Sequence, residues 1–340
     1  MASTIVGLEI TAESVRAVEV VAGAGGAVVS AGEVQLPSGA ARDSEVLDAE
    51  AVAVALRQLW AEASFSSRKV VLGVGSRRIL VREFSTPVMA PELLRASLPY
   101  QVQDLLPVPP AQAVLDFYPV AESDGHVHGL LVAAVAESVE ELLAATTKAK
   151  LQVSRVDLVP FGLARALARV SEPAQTSAVV YAGDHTTYVV VATGHVPQFV
   201  RVIPIDLPTA AVCARTGLEA PADEGALELV GATPRLRATM RMTSSPLDDS
   251  GAIADLVDRV RNTLAFYGSR SGSATVQSVY FAGPGSDVAG AHEALVAGLD
   301  RPVRSIDVSE LAPPRKDWMC PEPLRHSLVS TIGIVLGEEN

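Results

Sequence analysis

The same strand–turn–strand design occurs twice in this chain, and that constrains its fold more than any other feature. Residues 5–10 and 15–21 are apolar runs separated by the polar turn Thr11-Ala12-Glu13-Ser14. Residues 178–182 and 186–193 are apolar runs separated by Gly183-Asp184-His185. A third apolar stretch follows each unit, at 27–34 and 196–205. Short apolar runs bounded by turn residues read as meanders of strands. A repeated meander with helices crossing between its strands predicts two α/β halves of similar design. Ligands of such folds sit between the halves, at strand ends and helix starts.

The helical segments fit this plan. Val52, Ala55, Leu56, Leu59 and Trp60 make one apolar face over residues 48–63, and Ile253, Leu256, Val257, Val260 and Leu264 make another over 253–267, with Gly268 as a C-cap. A helix starts at Pro91, is interrupted at Pro99, and its segment ends at Pro107, Pro109 and Pro110. Ser138-Val-Glu-Glu141 matches a capping box for a helix running to about Lys150. Strands are expected at 70–74, 78–84, 127–135, 155–159, 276–282 and 303–306, and helices at 163–170, 288–299 and 328–336. Residues 209–250 read as loosely patterned helix.

Composition narrows the function. The 340 residues hold 39 acidic and 27 basic side chains, a net charge of −12, and lysine occurs only at 69, 148, 150 and 316. That balance argues against a nucleic-acid partner, which needs clustered cations. Cys213 and Cys320 form no CxxC pair, so neither a zinc ribbon nor a disulfide framework is indicated, and reduced cytoplasmic thiols are expected. No basic leader opens the chain, and no apolar window approaches the ~20 residues of a membrane helix. A soluble protein is expected, meeting a membrane only through a partner.

Three loops could carry chemistry. In the first, Glu9 beside Thr11, Ala12 and Ser14 offers amides and hydroxyls for phosphate and a carboxylate for magnesium. In the second, Gly183, Thr186 and Thr187 suit a phosphate tip, although Asp184 repels one unless a cation intervenes. In the third, Gly283-Pro284-Gly285 lets a flat ring approach the backbone. Each also reads as an ordinary turn. His126 and His128 share a strand face without a third metal ligand, and Arg235, Arg237 and Arg241 read as a solvated face. No GxSxG or GxxxxGK[ST] motif is present.

In order, these blocks resemble the PilM family of type IV pilus assembly proteins, relatives of FtsA in the actin/sugar-kinase fold. Val6-Gly-Leu-Glu-Ile-Thr-Ala-Glu-Ser-Val-Arg-Ala-Val-Glu-Val20 is similar to that family's V-G-L-D-I-G-S-S-S-V-K-A-V-E-L opening. Further matches are Lys69-Val-Val-Leu-Gly-Val-Gly-Ser76, Tyr100-Gln-Val-Gln-Asp-Leu-Leu-Pro-Val-Pro109, Leu115-Asp-Phe-Tyr118, Leu264-Ala-Phe-Tyr267 and Val279-Tyr-Phe-Ala-Gly-Pro-Gly-Ser286. The resemblance implies an actin-like α/β fold of two ribonuclease H-like lobes with an inserted α+β subdomain. It divides the chain into 1–76 with 157–176 and 322–340, an insert at 77–156, a second lobe at 177–207 with 271–321, and a helical upper subdomain at 208–270.

The implied role is a cytoplasmic scaffold, peripheral at the inner face of the membrane. It would bind the N-terminal tail of an inner-membrane PilN-like protein and join it to other cytoplasmic pilus assembly proteins. Ile79 and Val81 of the strand 79–84, with Leu105, Leu106 and Pro107, are expected to line the tail's groove. The resemblance also implies ATP and magnesium in the cleft, at Glu9, Thr11, Ala12, Ser14, Arg16, Gly183, Thr186, Thr187, Gly283 and Gly285, with Glu9 as the metal ligand. This chain departs from the pattern there. Glu9 replaces Asp, Thr11 a Gly and Arg16 a Lys, the second loop has Tyr181 where the family has Asp, and Pro284 sits among the third loop's glycines. These departures predict a degenerate cleft with weak or no Mg-ATP binding and at most weak ATPase activity. The rival readings are a phosphotransferase of the same fold and an FtsA-like filament-forming membrane tether. The acidic Leu336-Gly-Glu-Glu-Asn340 disfavours the tether.

Overall fold

The computed structural model of the chain describes residues 4–23, 26–217, 249–270, 272–315 and 318–336. Strands β1 (Thr4–Ile10), β2 (Ser14–Val21) and β3 (Val28–Gln35) form an antiparallel meander. Almost every side chain of β1 and β2 is buried, the charged Glu9, Arg16 and Glu19 included, so the strands read as apolar runs interrupted by single charges. The short pair β4 (Ala41–Arg42) and β5 (Glu45–Val46) leads into α1 (Ala49–Glu62). The Asp48 side chain accepts from the amides of Glu50 and Ala51 and starts this helix. Its stripe of Val52, Leu56, Leu59 and Trp60 is buried, and β6 (Lys69–Val74) then runs parallel to β1.

An inserted subdomain follows: β7 (Leu80–Pro87), α2 (Pro91–Gln101), β8 (Ala113–Ser123) and β9 (His126–Val135), paired in the order β7-β9-β8. Helix α3 (Ala136–Lys148) returns to the first lobe, and its Leu142 and Ala145 join the cluster of Leu56 and Leu59. Strand β10 (Gln152–Leu158) completes a five-stranded sheet, β10-β6-β1-β2-β3, and α4 (Val159–Val170) follows with Pro160 in its first turn.

The second lobe repeats the plan. Its strands β11 (Thr176–Ala182), β12 (Thr186–Thr193) and β13 (Val196–Pro204) form a meander, and α5 (Ala210–Thr216) and α6 (Asp249–Gly268) follow. Then come β14 (Ser278–Ala282), α7 (Ala291–Gly298) and β15 (Val303–Ser305), in the sheet order β13-β12-β11-β14-β15. In both sheets three antiparallel strands precede two parallel ones. The chain closes with α8 (Val308–Leu311) and α9 (Val329–Val335).

Helices α4 and α9 lie in one core with residues of both sheets, including Ile5, Val18 and Val71 from the first and Val179, Tyr188 and Val190 from the second. The two helices touch backbone to backbone. A Cβ on Gly333 would stand 2.3 Å from the Gly162 carbonyl oxygen, so only glycine fits at that crossing.

The structure corrects several expectations. Strand β10 hydrogen-bonds to β6, so the expected insert boundary at 156 falls inside a strand of the first lobe's sheet. Helix α6, within the expected 208–270 subdomain, buries Leu256, Val260 and Leu264 against the second lobe's sheet. Residues 218–248, including Arg235, Arg237 and Arg241, lie outside the described residues. Pro99 stands within α2, where the carbonyl it leaves without a donor belongs to exposed Arg95. Helix α3 starts at Ala136, and the Ser138 hydroxyl donates to Glu45 instead of capping (3.2 Å). Gly268 ends α6 as a helical residue. Strand β8 has no expected counterpart, because Pro119 interrupts its pattern; a bulge beside Pro119 on this edge strand accommodates the ring.

Candidate functional site

The turns after β1 and β11 face each other at the carboxyl ends of the parallel strands, at the equivalent place in each lobe. The first turn is saturated by its own hydroxyl. Thr11 Oγ1 accepts from the amides of Glu13 (3.2 Å) and Ser14 (3.0 Å) and donates to the Ser14 carbonyl (3.0 Å). Those amides are the donors a phosphate would need.

Arg16, directly opposite Glu9 across the β1–β2 ladder, is 2 % exposed at the bottom of the cleft. Its Nη1 donates to the Tyr181 hydroxyl (3.0 Å) and the Ser327 carbonyl (3.3 Å). Glu33 lies 3.6 Å and Asp184 3.7 Å from its other nitrogens. Burial disfavours its charge, but Tyr181, Glu33, Asp184 and Glu9 more than offset this and hold its pKa above the ordinary arginine value. Asp184 is thus met by a cation from the other lobe, and it also accepts from Thr209 (2.5 Å). Burial pushes the Glu9 carboxyl above the usual carboxylate range, against the pull of Arg16 and of the Ser330 hydroxyl (3.1 Å), and its Oε1 has no hydrogen-bond partner.

At the mouth the two turns hold each other. His185 Nε2 lies 2.7 Å from Glu13 Oε1, and its Nδ1 lies 2.8 Å from Asp206 Oδ1. The hydrogen bond to Glu13, opposed by burial and aided by Asp206, raises its pKa to about 9, so it is cationic at neutral pH. Arg215 Nε pairs with Glu13 Oε2 at 2.7 Å while its Nη2 donates to the Leu36 carbonyl at 2.9 Å. The Tyr188 hydroxyl, from the second lobe, donates to the Gly75 carbonyl of the first. The remaining cavity is about 40 Å³, room for a water or two, whereas small-molecule sites take roughly 300–1,000 Å³. In this arrangement the side chains present do not fit a magnesium-bound triphosphate.

Of the expected nucleotide residues, Glu9, Thr11, Ala12, Arg16, Gly183 and Thr186 line this one cavity. Ser14 is buried beside it and donates to Glu33, and Thr187 is fully buried with its hydroxyl unpartnered. Gly283 and Gly285 do not line it. Gly283 has φ +93° and sits against the Ala182 carbonyl, while Gly285 is packed on Leu207 and Ala182, so the third loop's near face is covered. The expected partner residues separate. Ile79, Val81 and Leu105 line an open groove of about 700 Å³ facing β13. Leu106 is half-buried on the insert's own cluster of Leu98, Val102 and Leu131, and Pro107 is exposed. The roles of Glu13, Glu33, His185, Tyr188 and Arg215 have no sequence signal beyond an acid and a histidine in matching turns.

A model of the family described as type IV pilus assembly protein PilM matches residues 7–201. Among solved structures, the chain is similar to one titled the PilM-PilN type IV pilus biogenesis complex, with TM-score 0.79 and 21% identity over 98% of this chain and 97% of that one. It is also similar to the ethanolamine utilization protein EutJ from Carboxydothermus hydrogenoformans, with TM-score 0.50 and 12% identity over 99% and 90% of the two chains. No curated protein sequence matches the chain. The fold shared with these structures is the actin-like one.

Proposed function

This chain belongs to the family of the type IV pilus assembly protein PilM, and from that premise we propose that it is a cytoplasmic scaffold holding the N-terminal tail of a PilN-like inner-membrane protein. One observation supports the insert as the place where the tail docks. Eleven large apolar side chains are strongly exposed among the described residues, and five of them, Val88, Leu93, Tyr100, Leu105 and Val114, belong to the insert. Five apolar side chains exposed on one small subdomain support a docking surface there. Leu93 and Tyr100 lie seven residues apart on α2, exposed by 58% and 79%, and Leu106 and Pro107 follow that helix. No helix among the described residues is long and apolar enough to cross a membrane.

The cleft serves this role as a closed joint rather than a nucleotide site. The Thr11 hydroxyl takes the loop amides and Arg16 takes Asp184, which leaves a phosphate few donors. Weak or no nucleotide binding and at most weak ATPase activity follow, and the phosphotransferase reading loses its support. Calorimetry with ATP and magnesium tests this half; micromolar affinity overturns it. Capture of the tail peptide tests the other half. The double substitution Leu93→Glu and Tyr100→Glu lowers capture at least tenfold, and Leu106→Glu lowers it as well; capture at the unsubstituted level by both removes the insert as the docking site.

A further inference from the structure

Two strand edges are open across one groove. Strand β7 is the edge of the insert's sheet and β13 the edge of the second lobe's sheet, and among the described residues each pairs on one side only. The groove between them, about 700 Å³, runs into a second hollow of about 460 Å³ that shares Phe199, Arg201, Val202 and Phe266 with it. Phe199 and Phe266 stand 6.0 Å apart, and the Arg270 guanidinium lies 5.4 Å from the Phe199 ring.

The charge of the lining opposes that of the whole molecule. In a chain of net charge −12, this groove is lined by Arg77, Arg82, Arg201 and Arg270, with Glu83 the one acid among the described residues, and Arg259 lines the adjoining hollow. Arg270 pairs with Glu83, Arg77 with Asp43, and Arg259 with Asp255. Arg82 and Arg201 are exposed, one on each open strand, and have no hydrogen-bond or ion-pair partner among the described residues.

We infer that this groove is a docking site for an extended, acidic segment of a soluble protein partner. The segment adds as a strand to an open edge, places apolar side chains on the Phe199–Phe266 floor and sets carboxylates against Arg82 and Arg201. The occupant is distinct from the membrane protein's tail. Residues flanking the cytoplasmic end of a membrane helix are biased toward lysine and arginine, which these guanidiniums repel. The inference goes beyond the scaffold reading: Ile79, Val81 and Leu105 also line this groove, but the assignment rests on Arg82 and Arg201, not on the exposed Leu93 and Tyr100 of α2.

The test uses the full chain and two fluorescein-labelled octapeptides, one alternating Val and Glu, the other Val and Lys. Anisotropy is expected to show binding of the acidic peptide only, weakened at least tenfold by Arg82→Glu with Arg201→Glu and unchanged by Arg68→Glu, an exposed substitution on the first lobe. Methylating alternate peptide amides on the acidic octapeptide is expected to abolish binding, since those N–H groups bond the strand edge. Equal binding of the basic peptide, indifference to methylation, or full binding by the double variant overturns the inference. So does a self-association of the chain that the double variant loses, because the occupant is then a second copy. Tail capture by the double variant is expected to match that of the unsubstituted chain; its loss makes the membrane protein the occupant and overturns this assignment while leaving the scaffold reading intact.

Discussion

Arg16 is the residue on which the cleft depends. It is 2 % exposed and is shared between a phenol, a carbonyl and two carboxylates from both lobes. Removing one member of a buried ionic network leaves its partners desolvated and unpaired, at a cost of about 3–5 kcal/mol. Arg16→Ala is therefore expected to lower stability by that order, read as a lower urea midpoint at unchanged slope. Arg16→Met combined with Glu33→Gln is expected to cost less than the single alanine change, because it leaves fewer orphaned charges. His185 behaves differently, since its charge is switchable. Its pKa is raised to about 9 in the folded chain from an ordinary value near 6.5. The stabilisation is complete below pH 6.5 and is lost as pH rises through about 9. With the side chain a quarter exposed, about 1–2 kcal/mol is expected after solvent screening. The melting temperature should fall between pH 6.5 and 9.5, and His185→Gln should remove most of that slope.

At the scale of elements, the joint between the lobes is a helix pair. Helices α4 and α9 meet at Gly162 and Gly333, and a Cβ added to Gly333 would overlap backbone atoms, which cannot rotate away as a side chain can. Gly333→Ala is expected to cost about 2–3 kcal/mol in chemical denaturation, whereas Ala at exposed Gly268 should cost almost nothing, since no atom lies within 4 Å of its added Cβ. Most elements are legible in the sequence because burial leaves a local pattern. Strands β1, β2, β11 and β12 are buried on both faces and read as apolar runs, and α1 and α6 carry one stripe each. The pattern is silent where a tertiary contact overrides a local rule. Pro119 enters a strand at a bulge, Pro99 enters a helix where the orphaned carbonyl is exposed, and Ser138 forgoes its cap for Glu45 on another element.

For the whole molecule, Glu13 makes the two lobes one body at the mouth of the cleft. It meets His185 and Arg215, while Tyr188 reaches across below them. Glu13→Ala is expected to loosen the cleft without unfolding either sheet. Hydrogen exchange should speed up in the turns after β1 and β11 and stay unchanged in the centres of β1 and β11; protection kept in both turns would show that the helix pair, Arg16 and Tyr188 hold the lobes together without Glu13.

The sequence by itself determined the repeated meander, the crossover helices and the family, because hydrophobic periodicity and turn residues act over a few positions and survive substitution elsewhere. It also pointed to the turns after β1 and β11, which the structure brings to one cavity because strand ends of matching lobes converge in this fold. Only the tertiary structure decided that the cavity is closed. The contacts that close it join residues as far apart as Glu13 and His185, separated by 172 positions, and a pairing of that span leaves no periodic trace in either segment. The arginines of the β7–β13 groove are hidden for the same reason: their shared charge exists only where two sheet edges from different lobes come to face each other.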